Sequence, residues 1–186
     1  VSLPALRETH RPTGETGSFG QMFRAFPGLL RTPSFVGYAG YAGCGMGMFM
    51  VVAGGVPFLM IEVFDRGPAA FGLFFMFLSA SFLAGTVFSS RLTVRIGLDR
   101  MIRWGSSGGA FFALVVAGLF LAGVSSPWAI FIPGVFMGFS HGMAMPNAQA
   151  GAVSVNPQIA GSASGLMTFL QMSIGAGFGQ IAGMLS

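Results

Sequence analysis

The sequence predicts an all-α protein, a polytopic bundle of transmembrane helices, and three observations lead there. Of its 186 residues, 53% are hydrophobic and only 8% charged, against about a quarter charged in a typical soluble domain. Several stretches of ~20 residues or more carry no charge, and that length is what a spanning helix needs. The basic residues are all arginines, and they gather at the ends of apolar runs. A soluble helical core needs polar helix faces that these runs lack. A net charge of +4 and a pI near 10.7 invite a nucleic-acid reading, but no basic face interleaved with aromatics is formed. The one cysteine, Cys44, lies inside an apolar run and the only histidines are His10 and His141. Neither a disulfide framework nor a metal site follows from such a set, and no cofactor is expected.

Residues 1–33 read as a polar, cytoplasmic lead-in, with TGETG as a flexible linker signal. Phe19, Met22, Phe23, Phe26, Leu29 and Leu30 then recur at helical spacing beside Arg24 and Arg31. They suit either a short amphipathic helix at the interface or a partly ordered linker. The chain opens on Val1, and its first thirty residues lack the charged and apolar regions of a signal peptide. It is therefore expected to be a fragment whose N-terminus lies upstream.

Five spans follow, at about residues 34–62, 69–90, 100–124, 128–150 and 157–185. The first is dense in glycine, which weakens a helix in water but lets backbones approach closely in lipid. Gly54, Gly55 and Pro57 are expected to kink or break it, and Glu62, Asp65 and Arg66 mark its exit. Pro68 suits the first turn of the second span. Between the second and third spans lies the stretch 85–104, GTVFSSRLTVRIGLDRMIRW, read as a compact basic loop. Ser125-Ser126-Pro127 turns the chain into the fourth span, and Asn156-Pro157 caps the fifth. Trp104 and Trp128 fall near opposite membrane faces, as an aromatic belt requires.

Arginines orient the bundle. With the lead-in cytoplasmic, Arg7, Arg11, Arg24, Arg31, Arg91, Arg95, Arg100 and Arg103 all lie inside and only Arg66 lies outside. Positive charge retained on the cytoplasmic side favours this orientation over its inverse.

These stretches carry a resemblance. LPALRETH, GVPFLMIEVFDRGPAAFGLFF, the basic stretch 85–104 and MPNAQAGAVSVNPQIAGSASGLMTFLQMSIGA stand in order along nearly the whole chain. Together they resemble the C-terminal half of drug:proton antiporters of the bicyclomycin/chloramphenicol-resistance type, in the major facilitator superfamily. The resemblance implies the C-terminal half of a major facilitator fold lacking its last helix, and a six-helix N-terminal half as its missing partner. It also implies that the basic stretch gates transport as a charge relay that latches one conformational state; the plain reading of its arginines is topology alone, holding this turn on the cytoplasmic side. One departure is Ser89, standing where that superfamily's basic loop often carries an acid.

Helical depth, at ~1.5 Å per residue, places Tyr38 and Tyr41 in the inner third of the first span, with Cys44 and Met48 nearer its middle. His141 falls at about the level of Tyr41, and Gln171 near the midplane. Tyr38, Tyr41, Met48, His141 and Gln171 are the expected substrate-binding residues, the methionine as adaptable lining. Each also has a plain reading as a bridge between helices. Ser140 and His141 make no catalytic pair, because helix neighbours point about 100° apart and no carboxylate orients the imidazole. Gly85, Arg91, Arg95, Gly97 and Arg100 are the expected gating residues, with Gly97 making a tight turn and the arginines meeting helix ends or Asp99. Gly134, Gly138 and Gly142 form one helix-packing ridge, and Gly175, Gly179 and Gly183 another. These ridges serve either static packing or sliding against the N-terminal half.

The expected function is proton-driven efflux of amphipathic drugs by alternating access, from the bacterial inner membrane, with lipid, protons and small amphipathic molecules as partners. Transport of one specific metabolite is the alternative within the fold, and a non-transporting membrane scaffold the alternative outside it. No enzyme is expected, since no His, Asp or Glu cluster inside the spans. The carboxylate that couples protons is expected in the missing half.

Overall fold

In the computed structural model of the chain, residues 19–58, 60–61, 64, 67–124 and 126–185 are described, and all regular structure among them is helical. The TGETG linker, Arg7, Arg11, Glu62, Asp65 and Arg66 lie outside the described residues. A short helix α1 (Phe19–Leu30) precedes α2 (Pro33–Phe58), α3 (Pro68–Ile96), α4 (Leu98–Leu121), α5 (Pro127–Ser154) and α6 (Ala160–Leu185). Prolines set several starts: Pro68 follows the cap Gly67, and Pro127 follows Ser126. Proline suits the first turn because its missing N–H has no intrahelical partner there anyway. Asn156 caps the 3₁₀ turn Pro157–Ile159 by accepting from the Gln158 N–H at 3.2 Å.

Among the described residues, four helices are long and apolar enough to cross a bilayer: Pro33–Phe58, Ala69–Ile96, Leu98–Leu121 and Pro127–Ser154. Helix α6 has 26 residues and no charged side chain, but its glycines and serines lower its hydropathy below that of the others. With 24 to 29 residues apiece, the five long helices reach ~36–43 Å, more than the ~30 Å hydrocarbon core. Tilt or protrusion accommodates the excess. Outward faces of α3 and α4 bear Phe77, Leu83, Phe111, Leu114 and Phe120, all exposed, a surface that suits lipid and not water.

Helix α5 is the hub and packs on α2, α3, α4 and α6. Residue pairing gives the directions. Phe74 meets Phe131 and Ser89 meets Asn147, so α3 runs parallel to α5. Phe112 meets Phe136 and Gly105 meets Ala144, so α4 runs antiparallel to it. Gly43 faces Ile174 and Gly47 faces Phe178, so α2 and α6 are parallel. One core cluster, with Phe35, Ala39, Ala148, Leu166 and Met167, fills the end of the bundle where the arginines gather. Leu29 of α1 is buried in it, with Phe26 packed alongside. A second cluster, Val56, Met60 and Phe131, closes the arginine-poor end.

The basic stretch is not a loop. Helix α3 continues through Arg91 and Arg95 to Ile96, α4 begins at Leu98, and Gly97 alone separates them. Charged side chains leaving the lipid do not end a helix, since arginine and leucine are good helix formers. A backbone breaker does: Gly97 sits at φ +88°, a region that costs L-residues energy but not glycine.

Candidate functional site

The site grows from an absent side chain. Tyr41 and Gly45 are one turn apart on α2 and so share a face. A Cβ on Gly45 would collide with the His141 ring, lying 3.0 Å from Nε2. The bare glycine therefore lets the imidazole of α5 lie against the α2 backbone. Tyr41 Oη stands 3.3 Å from His141 Nδ1, and the Phe82 ring on α3 is centred 5.9 Å from the imidazole. Both His141 and Tyr41 are half-buried. If the tyrosine hydroxyl donates to Nδ1, Nε2 carries the proton and donates into the space beyond it; the other tautomer makes Nε2 an acceptor. The pair can thus present either hydrogen-bonding character to a bound molecule.

That space is a cavity of about 760 Å³ bounded mainly by α2, α3 and α5, with contributions from α4 and α6, and lined by His141, Met48, Gln149 and Gln171 among many apolar side chains. It exists because α2 and α3 scarcely touch each other while both pack on α5. Phe74 and Phe131, stacked with centroids 4.0 Å apart, pack with the cluster that closes its arginine-poor end. Ligand pockets of this size typically combine an apolar wall with few polar groups. Of the expected substrate-binding residues, Met48, His141 and Gln171 line the cavity and Tyr41 touches it through His141. Tyr38 does not. Its hydroxyl donates to Asp99 Oδ1 at 2.7 Å, tying the start of α2 to the first turn of α4. The rotation of α2 about its axis sends Tyr38 away from the cavity and toward α4.

Sequence reading missed a polar ring joining α3 to α5. Asn147 Nδ2 donates to Ser89 Oγ at 2.5 Å and to the Met143 carbonyl at 2.7 Å. Thr93 Oγ1 donates to Asn147 Oδ1 at 2.9 Å and lies 3.2 Å from Ser89 Oγ. The Thr93 hydroxyl also lies 2.8 Å from the Ser89 carbonyl one turn back on α3, so its one proton serves either acceptor, and a Ser89 hydroxyl aimed at Thr93 Oγ1 completes the cluster. Ser89 is 2% exposed and Asn147 6%, so the pairing is needed where water cannot substitute. Ser89 thus has an amide partner that it satisfies without charge. An asparagine inside an otherwise apolar span was the available signal. Nearby, Pro146 lacks the N–H that would bond the Gly142 carbonyl, and Thr86 Oγ1 of α3 lies 3.1 Å from that carbonyl and 3.1 Å from the Phe82 carbonyl of its own helix, its one proton shared between them.

The residues expected to gate transport divide. Gly85 is not part of a loop but lies inside α3, where a Cβ would strike the Phe139 carbonyl of α5. Gly97 makes the turn as expected. Arg91, Arg95 and Arg100 are exposed, and among the described residues none pairs with Asp99, whose carboxylate accepts from Tyr38. The glycine ridges divide too. Gly138 and Gly142 face inward onto α3, with a Cβ on Gly138 falling 3.1 Å from the Leu78 carbonyl. Gly175 packs on Met46 of α2, whereas a Cβ on Gly134 or Gly179 would make only ordinary contact, with Leu78 at 3.7 Å and Met50 at 3.6 Å. A Cβ on Gly183 would meet no neighbouring helix among the described residues.

The sequence model of the Major Facilitator Superfamily matches residues 2–180. No individual curated protein and no solved structure matches the chain. The chain belongs to the major facilitator superfamily, a family of secondary transporters.

Proposed function

We propose that this chain forms part of a proton-driven multidrug efflux transporter that works by alternating access. The observation that carries the reading is the cavity beside α5, with its soft apolar wall and few polar anchors at His141, Gln171 and the Tyr41 hydroxyl behind them. Polyspecific binding of amphipathic molecules uses such a surface, because methionine and phenylalanine repack around different shapes while sparse polar groups orient them. The resemblance to bicyclomycin/chloramphenicol-type antiporters supports the same substrate class. In this reading the cavity faces a six-helix N-terminal half, the arginine-rich end is cytoplasmic, and the membrane is the bacterial inner membrane. The coupling carboxylate sits in that other half.

Accumulation of a fluorescent amphipathic drug in cells expressing the full-length transporter tests this, with and without a protonophore. Wild type is expected to lower accumulation, and the protonophore to abolish the effect. His141→Ala should reduce efflux roughly tenfold, the loss of about 1.4 kcal/mol of binding, while Glu62→Gln should leave proton coupling intact. Efflux that ignores the protonophore, or a His141→Ala variant as active as wild type, would overturn the reading.

A further inference from the structure

A second hollow lies outside the transport cavity. It is a groove of about 840 Å³ on the exposed side of α3, floored by Phe139 of α5 and lined along α3 by Ala80, Ala84, Phe88, Arg91 and Arg95. His141, two residues beyond Phe139, points instead toward α2, so the groove and the transport cavity lie on different sides of α5. Small alanines hollow the upper part of the groove. Its other end carries two exposed guanidinium groups one helical turn apart, and among the described residues neither has a carboxylate or hydrogen-bond partner.

We propose that this groove binds an anionic phospholipid, with an acyl chain along Ala80–Phe88 and the headgroup phosphate on Arg91 and Arg95. Two arguments select this occupant. The first is charge: two unpaired arginines four residues apart can share one phosphate, and guanidinium groups favour phosphate oxygens. Basic pockets between transmembrane helices recognise anionic lipid headgroups in this way. The second is length. From Ala80 to Arg91 is eleven residues, about 16 Å along a helix, and one leaflet of a ~30 Å hydrocarbon core is about 15 Å deep. The apolar part of the groove therefore spans one leaflet and puts the arginines at headgroup level.

The test uses the full chain purified in mild detergent and mixed with phosphatidylglycerol or phosphatidylcholine of identical acyl chains, with retained lipid read by native mass spectrometry. Phosphatidylglycerol is expected to be retained at least tenfold better. Arg91→Gln with Arg95→Gln should remove that preference, whereas Arg24→Gln with Arg31→Gln, the same charge change away from the groove, should keep it. Ala84→Trp should fill the groove and lower retention with no change of charge. Equal retention of both lipids, or full competition by free glycerol phosphate, would overturn the proposal. So would a groove-filled variant that binds as wild type, or a dimer of the chain that excludes lipid from the groove.

Discussion

His141 owes its place to Gly45. The imidazole occupies volume that any side chain at position 45 would claim, and Tyr41 supplies the hydroxyl beside Nδ1. Gly45→Leu is therefore expected to push the ring from its seat, at an overpacking cost of ~1–3 kcal/mol. Transport should fall at least as far as in His141→Ala, in protein that still reaches the membrane. Unchanged drug accumulation in Gly45→Leu would mean that the ring's position does not matter. The Asn147 ring gives a second residue-scale expectation. Asn147→Ala removes the amide bonds that tie Ser89 and Thr93 of α3 to α5, leaving those hydroxyls only their partners on α3, and should lower stability in detergent by ~1–2 kcal/mol. A melting temperature equal to wild type would show that the ring contributes nothing.

Among the elements, α5 carries two prolines inside its span, Pro133 and Pro146, and remains one helix. Proline in mid-helix removes one hydrogen bond, and a neighbouring threonine can restore the partner in a membrane. Thr86 reaches the Gly142 carbonyl for this purpose, sharing its proton with the Phe82 carbonyl on α3. Thr86→Val is expected to destabilise by roughly 0.6–2 kcal/mol, and Pro146→Ala in the same chain should recover most of that loss, because the alanine N–H can bond the Gly142 carbonyl. Additive effects of the two changes, measured by unfolding in detergent, would refute the exchange. The glycine ridges separate in the same way. Gly138→Leu meets backbone of α3 and should abolish membrane expression, while Gly179→Leu makes only van der Waals contact and should be inserted and folded. If both variants fold, the α3–α5 packing is looser than described.

For the whole molecule, the distribution of arginines predicts which end faces the cytoplasm. Ser126 and Ser154 flank and end α5 at opposite faces of the bundle. With Cys44 replaced by serine, Ser126→Cys should react with a membrane-impermeant maleimide in intact cells. Ser154→Cys should react only after permeabilisation. The reverse pattern would invert the topology.

The sequence by itself determined the class of protein and most of its helices. Charge-free apolar runs of bilayer length leave the backbone no partner but its own helix, and arginines at the ends of those runs mark one face. It also put Tyr41 and His141 at one depth, because rise per residue is fixed. Tertiary structure decided the rest. Rotation of α2 about its axis turns Tyr41 onto His141 but sends Tyr38 to Asp99, and residue spacing alone does not specify which neighbour each face meets. The arginines between the second and third spans read as a loop, yet a helix ends where its backbone can no longer continue, and only Gly97 provides that. The glycine ridge on α5 was visible as a pattern, but whether it faced a partner half or α3 depended on the packing of the bundle. The ring of Ser89, Thr93 and Asn147 joins residues more than fifty positions apart, so it came into view only when α3 and α5 were side by side.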